Sequence, residues 1–459
     1  MAKSSHLPML IVLYASSFVA AFNENLVNVA LVDISQAYEI GYTTAQWLVT
    51  GYMIVTCVIV AVMAFLLQRF TLRKLYFFAF ACFIIGEGVC MIAPAFPLLL
   101  VARLLQAVGS GVFIPIMMTT VLALAPRERM GTLLAIGGAC ITLGPAFAPV
   151  ISGALTTLFG WRAIFAAPAL ASIVCALAGL KTFVNYREVG PAKLDIPSLV
   201  WATLGLTLTV FGLSELLSNT AIALACLAIG IVALALFARR QLRIEHPMLN
   251  LQPMAKPRFA VAVALALITM MMSFSTGVVL PMYLESAFGF SALMAGVVLL
   301  PAIIFAAISS IAGGRIMDAF GPWPLLAISY GITTIGQIAI ALCGNGIALA
   351  GVIAGAIAVY VGTGASMAPT QTAGLQILPG DQHPDGVSIM SVILMVAGSV
   401  GPSLFIGVMS AGEHAALLAG ASARNAAASG FTHAIIVAAI IAFVGFAIAA
   451  VYSWRCRKR

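Results

Sequence analysis

The chain has 459 residues, of which 63% are hydrophobic and 8% charged, whereas a soluble domain carries about 25% charged residues. So much apolar surface cannot be hidden in a soluble core, so lipid is the solvent of this chain. A net charge of +8 would suit a nucleic-acid binder only if gathered on one folded surface, and here the basic residues are scattered among short loops.

Crossing the bilayer core takes about 20 apolar residues of helix. In chain order, runs of that kind cover 8–31, 44–67, 73–94, 97–124, 130–156, 161–183, 197–216, 219–238, 258–284, 290–316, 322–344, 346–375, 386–411 and 431–454. Fourteen helices are predicted. The longest breaks, around 184–196, 239–257 and 412–430, leave no room for a soluble domain. The first run is too long for a signal-peptide core and lacks a small-residue cleavage site, so it is expected to be retained. With the N-terminus inside, nineteen of twenty-two Lys and Arg fall on the cytoplasmic side, the exceptions being Arg103, Arg162 and Arg424. This is the positive-inside pattern, and it predicts that both termini are cytoplasmic. Seven of eight cysteines lie inside spans and none forms a CxxC pair, so neither a disulfide framework nor a metal site is indicated.

Helix 1 carries the run AFNENLVNVALVD (21–33). Glu24 and Asn28 are four apart and share a face, with Asn25 beside them. Helix 3 holds Glu87 between Gly86 and Gly88, an intramembrane acid and therefore a functional candidate, with a structural hydrogen bond as the alternative. Helix 4, in LLLVARLLQAVGSGVFIP (98–115), places Arg103 deep in a span, where it must hold a carboxylate or backbone carbonyls. An acid in lipid is costly as an anion and an arginine brought close offsets that cost, so Glu24 and Arg103 together form a candidate proton switch. Helix 5 reads GACITLGPAFAPVISG (138–153), with Gly144, Pro145, Pro149 and Gly153 as small and bending positions that let a neighbouring helix come close. In helix 9, Met270, Met271, Met272 and Phe274 offer an adaptable lining for varied ligands, against the plainer reading of core packing.

Two parts of the chain resemble each other. AFLLQRFTLRK (64–74) follows helix 2 and GRIMDAFGPW (314–323) follows helix 10, offset by 250 (318 minus 68). Pro115 and Pro369 are 254 apart, and the pairs Gly144-Pro145 and Gly401-Pro402 are 257 apart (402 minus 145). Two six-helix halves follow, 1–184 and 258–459, with helices 7 and 8 in an inserted segment, 185–257.

Parallel six-helix repeats, the helix 5 run and the helix 4 arginine motif with Arg103, Gln106 and Gly109 together resemble the major facilitator superfamily. The fourteen-helix drug and proton antiporters of that superfamily usually have Asp where this chain has Asn23. The whole run from Phe22 to Leu31, with QWLVTGYMIV (46–55), KLDIPSLVWATLGLTLTVFG (193–212) and HPMLNLQPM (246–254), instead resembles the lincomycin-resistance type of multidrug efflux protein. That subgroup has an Asn-Glu pair here and implies Glu24 as the acid. The loop after helix 2 departs from the family pattern with Gln68 but keeps Arg69 and Arg73; the loop after helix 10 keeps Gly314, Asp318 and Gly321. Such loops latch the cytoplasmic side through an acid on a helix N-terminus or on an arginine.

The resemblance implies an all-α membrane protein of the major facilitator fold in the bacterial inner membrane. It would act as a monomer and export small amphipathic or hydrophobic compounds against protons. Glu24, Arg103 and Glu87 would couple protons, and Asn23, Asn28, Gln106, Met271 and Phe274 would line the substrate cavity. No Gly-Lys pair for a phosphate-binding loop is present, so the proton gradient, without a cofactor, is the expected energy source. No catalytic constellation points to an enzyme, and nothing points to a nucleic-acid partner. A flippase or transporter of lipids or bile-acid-like amphiphiles, an importer on the same fold, and a sensor remain alternatives. An importer of the peptide type would be expected to carry a Glu-x-x-Glu-Arg cluster in helix 1, and this chain has none.

Overall fold

In this computed structural model the described residues are 6–185, 195–214, 220–244, 247–344 and 348–457. They form fourteen helices long and apolar enough to cross a membrane. The first eight are α1 (Leu7–Ala37), α2 (Trp47–Arg69), α3 (Leu72–Ile92), α4 (Phe96–Leu124), α5 (Met130–Phe159), α6 (Ala166–Thr182), α7 (Ile196–Ser214) and α8 (Thr220–Gln241). The others are α9 (Pro257–Phe288), α10 (Ala292–Phe320), α11 (Pro322–Gly344), α12 (Leu349–Leu375), α13 (His383–Leu418) and α14 (Ala423–Arg457). Large apolar side chains stand outward, with Ile92, Leu342 and Leu418 each 77% exposed, as a lipid-facing surface requires and a soluble one does not tolerate.

The helix count agrees with the sequence, but one loop does not. The break expected at 412–430 shrinks to a turn between Leu418 and Ala423, with Gly420 at φ 82°. Its alanine-rich flanks are strong helix formers and extend both helices beyond the apolar run.

The chain divides into two compact units. The first comprises Met1–Ala125, Cys140–Ala255 and Leu378–Val392; the second comprises Pro126–Ala139, Lys256–Ile377 and Ile393–Arg459. Thus the start of α5 belongs to the second unit and the start of α13 to the first. These two stretches are 252 apart at their first residues (378 minus 126) and 253 apart at their last (392 minus 139), close to the repeat offset read from the sequence.

In the first unit α4 packs against α1, α2 and α3, and α6 against α1 and α3. In the second, α12 packs against α9, α10 and α11, and α14 against α9 and α11. Helices α7 and α8 make a tight hairpin in the first unit, because a side chain at Gly205 would meet Leu234 and one at Gly230 would meet Thr209 at 2.7 Å. The hairpin meets α2 through Trp47 stacked on Phe211, ring centres 5.5 Å apart.

Candidate functional site

The first unit holds a buried polar cluster around Arg103, whose side chain is fully enclosed. Its Nη1 donates to Gln106 Oε1 at 2.7 Å, and its Nη2 to the main-chain oxygens of Asn23 at 2.8 Å and Glu24 at 3.2 Å. Nε reaches the main-chain oxygen of Leu48 at 3.4 Å, and the guanidinium lies 4.0 Å from the centre of the Tyr52 ring. Helical carbonyls keep a second lone pair after bonding within the helix, so α1 and α2 solvate the cation without supplying a counter-anion, and the aromatic face adds to this. Of the two partners the sequence allowed Arg103, the structure uses carbonyls. Among the described residues the one ion pair is Asp195 with Arg240, so Arg103 and the Glu24 carboxylate stand unpaired, one of the two arrangements between which such a switch would move. The backbone of α1 is fixed within reach, whereas the half-buried Glu24 side chain keeps part of its hydration.

Gln106 extends the cluster. Its Oε1 also accepts from Asn23 Nδ2 at 3.2 Å, and its Nε2 donates to Cys90 Sγ at 3.1 Å. Asn28 is exposed and bonds to Asn25 at 3.5 Å, so it stands more open than Asn23, which is fully buried. Glu87 is also fully buried, and among the described residues neither of its carboxyl oxygens has a hydrogen-bond partner. As a carboxylate, Glu87 therefore accepts no hydrogen bond from a neighbouring helix.

The face of α5 that meets α1 combines the motif's Gly144 with Ala148 and Ser152. A side chain at Gly144 would lie 2.7 Å from the Phe22 nitrogen, Ala148 packs with Phe22 and Leu26, and Ser152 Oγ donates to the Leu26 carbonyl at 2.7 Å. These three are four residues apart, one face of α5 laid against α1. Pro145 is exposed, and Gly153, expected to admit a close neighbour, has nothing within 4 Å of the place its side chain would occupy. One helical step beyond Ser152 the contact face has turned by about 100 degrees, which carries Gly153 away from α1. The side chain of Pro149 lies outside the described ones, as does that of Phe274. Met271, expected at a cavity wall, is 8% exposed within the apolar core of the second unit, where its flexible thioether fills space.

In the second unit, Asp318 binds the start of α5. Its Oδ1 accepts from the Gly131 nitrogen at 2.7 Å, and its Oδ2 from the Thr132 nitrogen at 2.8 Å and Thr132 Oγ1 at 2.6 Å. A carboxylate on free N–H groups at a helix N-terminus is favoured by both hydrogen bonding and the helix dipole. Gly314 lets the helices approach, since a side chain there would lie 2.5 Å from Ala135 Cβ. Gly321 ends α10 at φ 80°, a conformation that favours glycine. Beside this contact is a cleft of about 440 Å³ lined by Glu128, Arg129, Thr132, Arg315, Asp318 and Ala319. In the first unit, Arg69 and Arg73 are exposed, and the Arg73 nitrogen donates to Asn185 Oδ1 at 3.1 Å.

One polar network was not read from the sequence. Arg240 grips Asp195 through Nε at 2.7 Å and Nη2 at 2.8 Å, and this bidentate contact holds the Asp195 carboxyl down at about 2. Ser198 bonds to both Asp195 and Gln241. Gln241 Oε1 accepts from the Leu249 nitrogen at 3.0 Å, and Asp385 Oδ1 from the Asn250 nitrogen at 2.9 Å. The α7–α8 hairpin and the segment after it are thereby tied to the first turn of α13. The sequence signals were the runs KLDIPSLVWATLGLTLTVFG, which holds Asp195 and Ser198, and HPMLNLQPM, which by themselves assign no role.

The family profile described as Major Facilitator Superfamily matches residues 13–402. The chain is 32% identical over 416 residues to a protein of Listeria innocua named lincomycin resistance protein LmrB, covering 90% of this chain and 88% of that one. It is 31% identical over 453 residues to the protein of the same name from Bacillus subtilis, covering 96% and 94%. In three dimensions it resembles the proton:xylose symporter XylE with a TM-score of 0.68 at 15% identity, covering 99% of this chain and 96% of that one. The chain belongs to the Major Facilitator Superfamily, and its sequence relatives include proteins of the lincomycin-resistance type.

Proposed function

We propose that this protein is a proton-coupled exporter of small amphipathic compounds in the bacterial cytoplasmic membrane, with both termini in the cytoplasm. The direction and the class of cargo rest on the names of its relatives and on the resemblance in α1 and α5. The observation that carries the coupling is the buried cluster itself: Arg103 is bound to the α1 backbone, and two acids, Glu24 and Glu87, share its surroundings without pairing to it. A charge enclosed in this way is retained at a cost that a static scaffold need not bear. Its value lies in changing when a proton is bound or released. Asn23, Asn28 and Gln106 offer polar contacts to cargo beside that cluster, and the face of α5 around Gly144 seals against α1 until transport opens it. The Asp318 contact with α5 is the latch released in each cycle. The proton gradient supplies the energy, and the working unit is a single chain.

Export of a fluorescent dye from a pump-deficient bacterium tests this, with wild type compared with Glu24→Gln and Arg103→Ala, with and without a protonophore. Wild type should extrude dye and confer resistance, and each substitution, or the protonophore, should abolish both. Well-expressed variants that export like wild type sink the assignment.

A further inference from the structure

The packing inside the two units allows a residue-by-residue comparison. A side chain at Gly109 would lie 2.5 Å from the Ala79 oxygen and 3.3 Å from Phe83; one at Gly362 would lie 2.6 Å from the Ser329 oxygen and 2.3 Å from Thr333 Oγ1. One at Gly86 would meet the Ala102 oxygen and the Gln106 nitrogen; one at Gly336 would meet the Gly355 oxygen and the Val359 nitrogen. Thus α3 maps on α11 at an offset of 250 (329 minus 79, 336 minus 86), and α4 on α12 at 253 (355 minus 102, 362 minus 109). On this register Glu87 corresponds to Gln337 (337 minus 87 is 250), Arg103 to Ala356 and Gln106 to Val359 (253 in each case). The second unit keeps the scaffold and lacks the charges.

What Gln337 does is informative. It is fully buried, and its Nε2 donates to Ser275 Oγ at 3.0 Å and Thr276 Oγ1 at 3.3 Å on α9. Subtracting 252, close to the other two offsets, brings Ser275 and Thr276 onto Asn23 and Glu24 of α1. At the matching place in the first unit the partners are present and unbonded: Asn23 Oδ1 and both oxygens of Glu87 are buried without a partner among the described residues. The orientation of the Asn23 amide is fixed by chemistry. Arg103 can only donate, so Gln106 turns Oε1 toward it; Asn23 must then donate its own Nδ2 to that oxygen, which leaves Asn23 Oδ1 as an acceptor lacking a donor.

We propose that Glu87, when it carries a proton, donates it in a hydrogen bond to Asn23 Oδ1, reproducing in the first unit the bond that Gln337 makes permanently in the second. One proton adds to a Glu87 carboxyl oxygen and that O–H turns to the amide oxygen. On its loss two acceptors face each other, and α3 lets go of α1. This deepens the proton-coupling reading of the cluster and rests on it. The titratable and charged groups acting on Glu87 are Arg103 on α4, Tyr52 on α2 and Cys90 on α3, with Glu24 on α1 linked to it through Arg103 and Tyr52. On the segments packed against other parts of α3, Arg162 donates to the Ala93 carbonyl, and α6 carries Cys175 and Lys181. Coupling then resides in one unit alone, with Gln337 as a fixed neutral counterpart.

Infrared difference spectra of the full-length protein in lipid, recorded between acid and alkaline buffer, test this through the C=O stretch of a protonated carboxyl. The expected result is a band that Glu87→Gln removes and that Asn23→Leu moves to the frequency of a carboxyl without a hydrogen bond, while Asn23→Ser, which keeps an acceptor, leaves it hydrogen-bonded. Gln337→Glu, an independent variant in the other unit, should add a second hydrogen-bonded carboxyl band. A band unchanged in Glu87→Gln, a band indifferent to Asn23→Leu, or no new band in Gln337→Glu overturns the proposal. If the bands behave as expected but the wild type in proteoliposomes moves no dye under a proton gradient, the hydrogen bond stands and the exporter reading fails.

Discussion

Replacing Arg103 by lysine keeps the charge but replaces a planar fork by a point ammonium that cannot serve Gln106 and three carbonyls while lying on Tyr52. Arg103→Lys is expected to lose dye export and to lower stability by about 1–3 kcal/mol, the cost of orphaned buried hydrogen-bonding groups, read as a drop in unfolding temperature of the purified protein. At this scale the sequence showed that Arg103 and Glu87 are expensive residues, because depth in an apolar run is visible in one dimension. It did not show that Arg103 would settle on backbone carbonyls or that Glu87 would have none of its oxygens satisfied. Which lone pair faces which donor depends on how neighbouring helices are rotated, and no spacing within one helix encodes that.

Between helices, the tightest contacts predict opposite results for the same substitution. At Gly109 an added methyl meets the Ala79 carbonyl at 2.5 Å, so Gly109→Ala should destabilise by about 1–3 kcal/mol through overpacking. At Gly153 it meets nothing, so Gly153→Ala should be neutral or stabilise by up to about 1 kcal/mol, as expected for glycine inside a helix. Thermal unfolding of the two variants side by side checks both. The Asp195–Arg240 bridge between α7 and α8 adds a pH dependence. The Asp195 carboxyl is held at about 2, below its ordinary value of 3.8, so the stability it lends is full above about pH 4 and is lost as pH falls through about 2. The stability gap between wild type and Asp195→Asn should therefore close over that window; because the bridge is partly exposed, the gap is expected to be small. A gap that stays constant down to pH 2 contradicts it. The α5 motif was legible as a close-packed helix from its small residues, yet the face packed on α1 is Gly144, Ala148 and Ser152, while Gly153 points elsewhere.

For the whole molecule, Asp318 gathers three donors from the start of α5, and Asp318→Ala should cost about 1 kcal/mol, as loss of a helix cap does. It should slow transport more than it lowers expression; export as fast as wild type would show that this contact is no latch. The sequence by itself determined that the chain lives in lipid, crosses it fourteen times and is built from a repeated half. Bilayer thickness and helical rise translate directly into run length, and a duplicated fold preserves its Gly and Pro landmarks at a near-constant offset. Only the tertiary structure decided that the starts of α5 and α13 belong to the units opposite their own halves, that the segment after α8 binds Asp385, and that Gln337 occupies the place of Glu87. These depend on contacts between residues from about sixty to more than a hundred positions apart, whose free energy comes from packing in three dimensions and leaves no periodic trace along the chain.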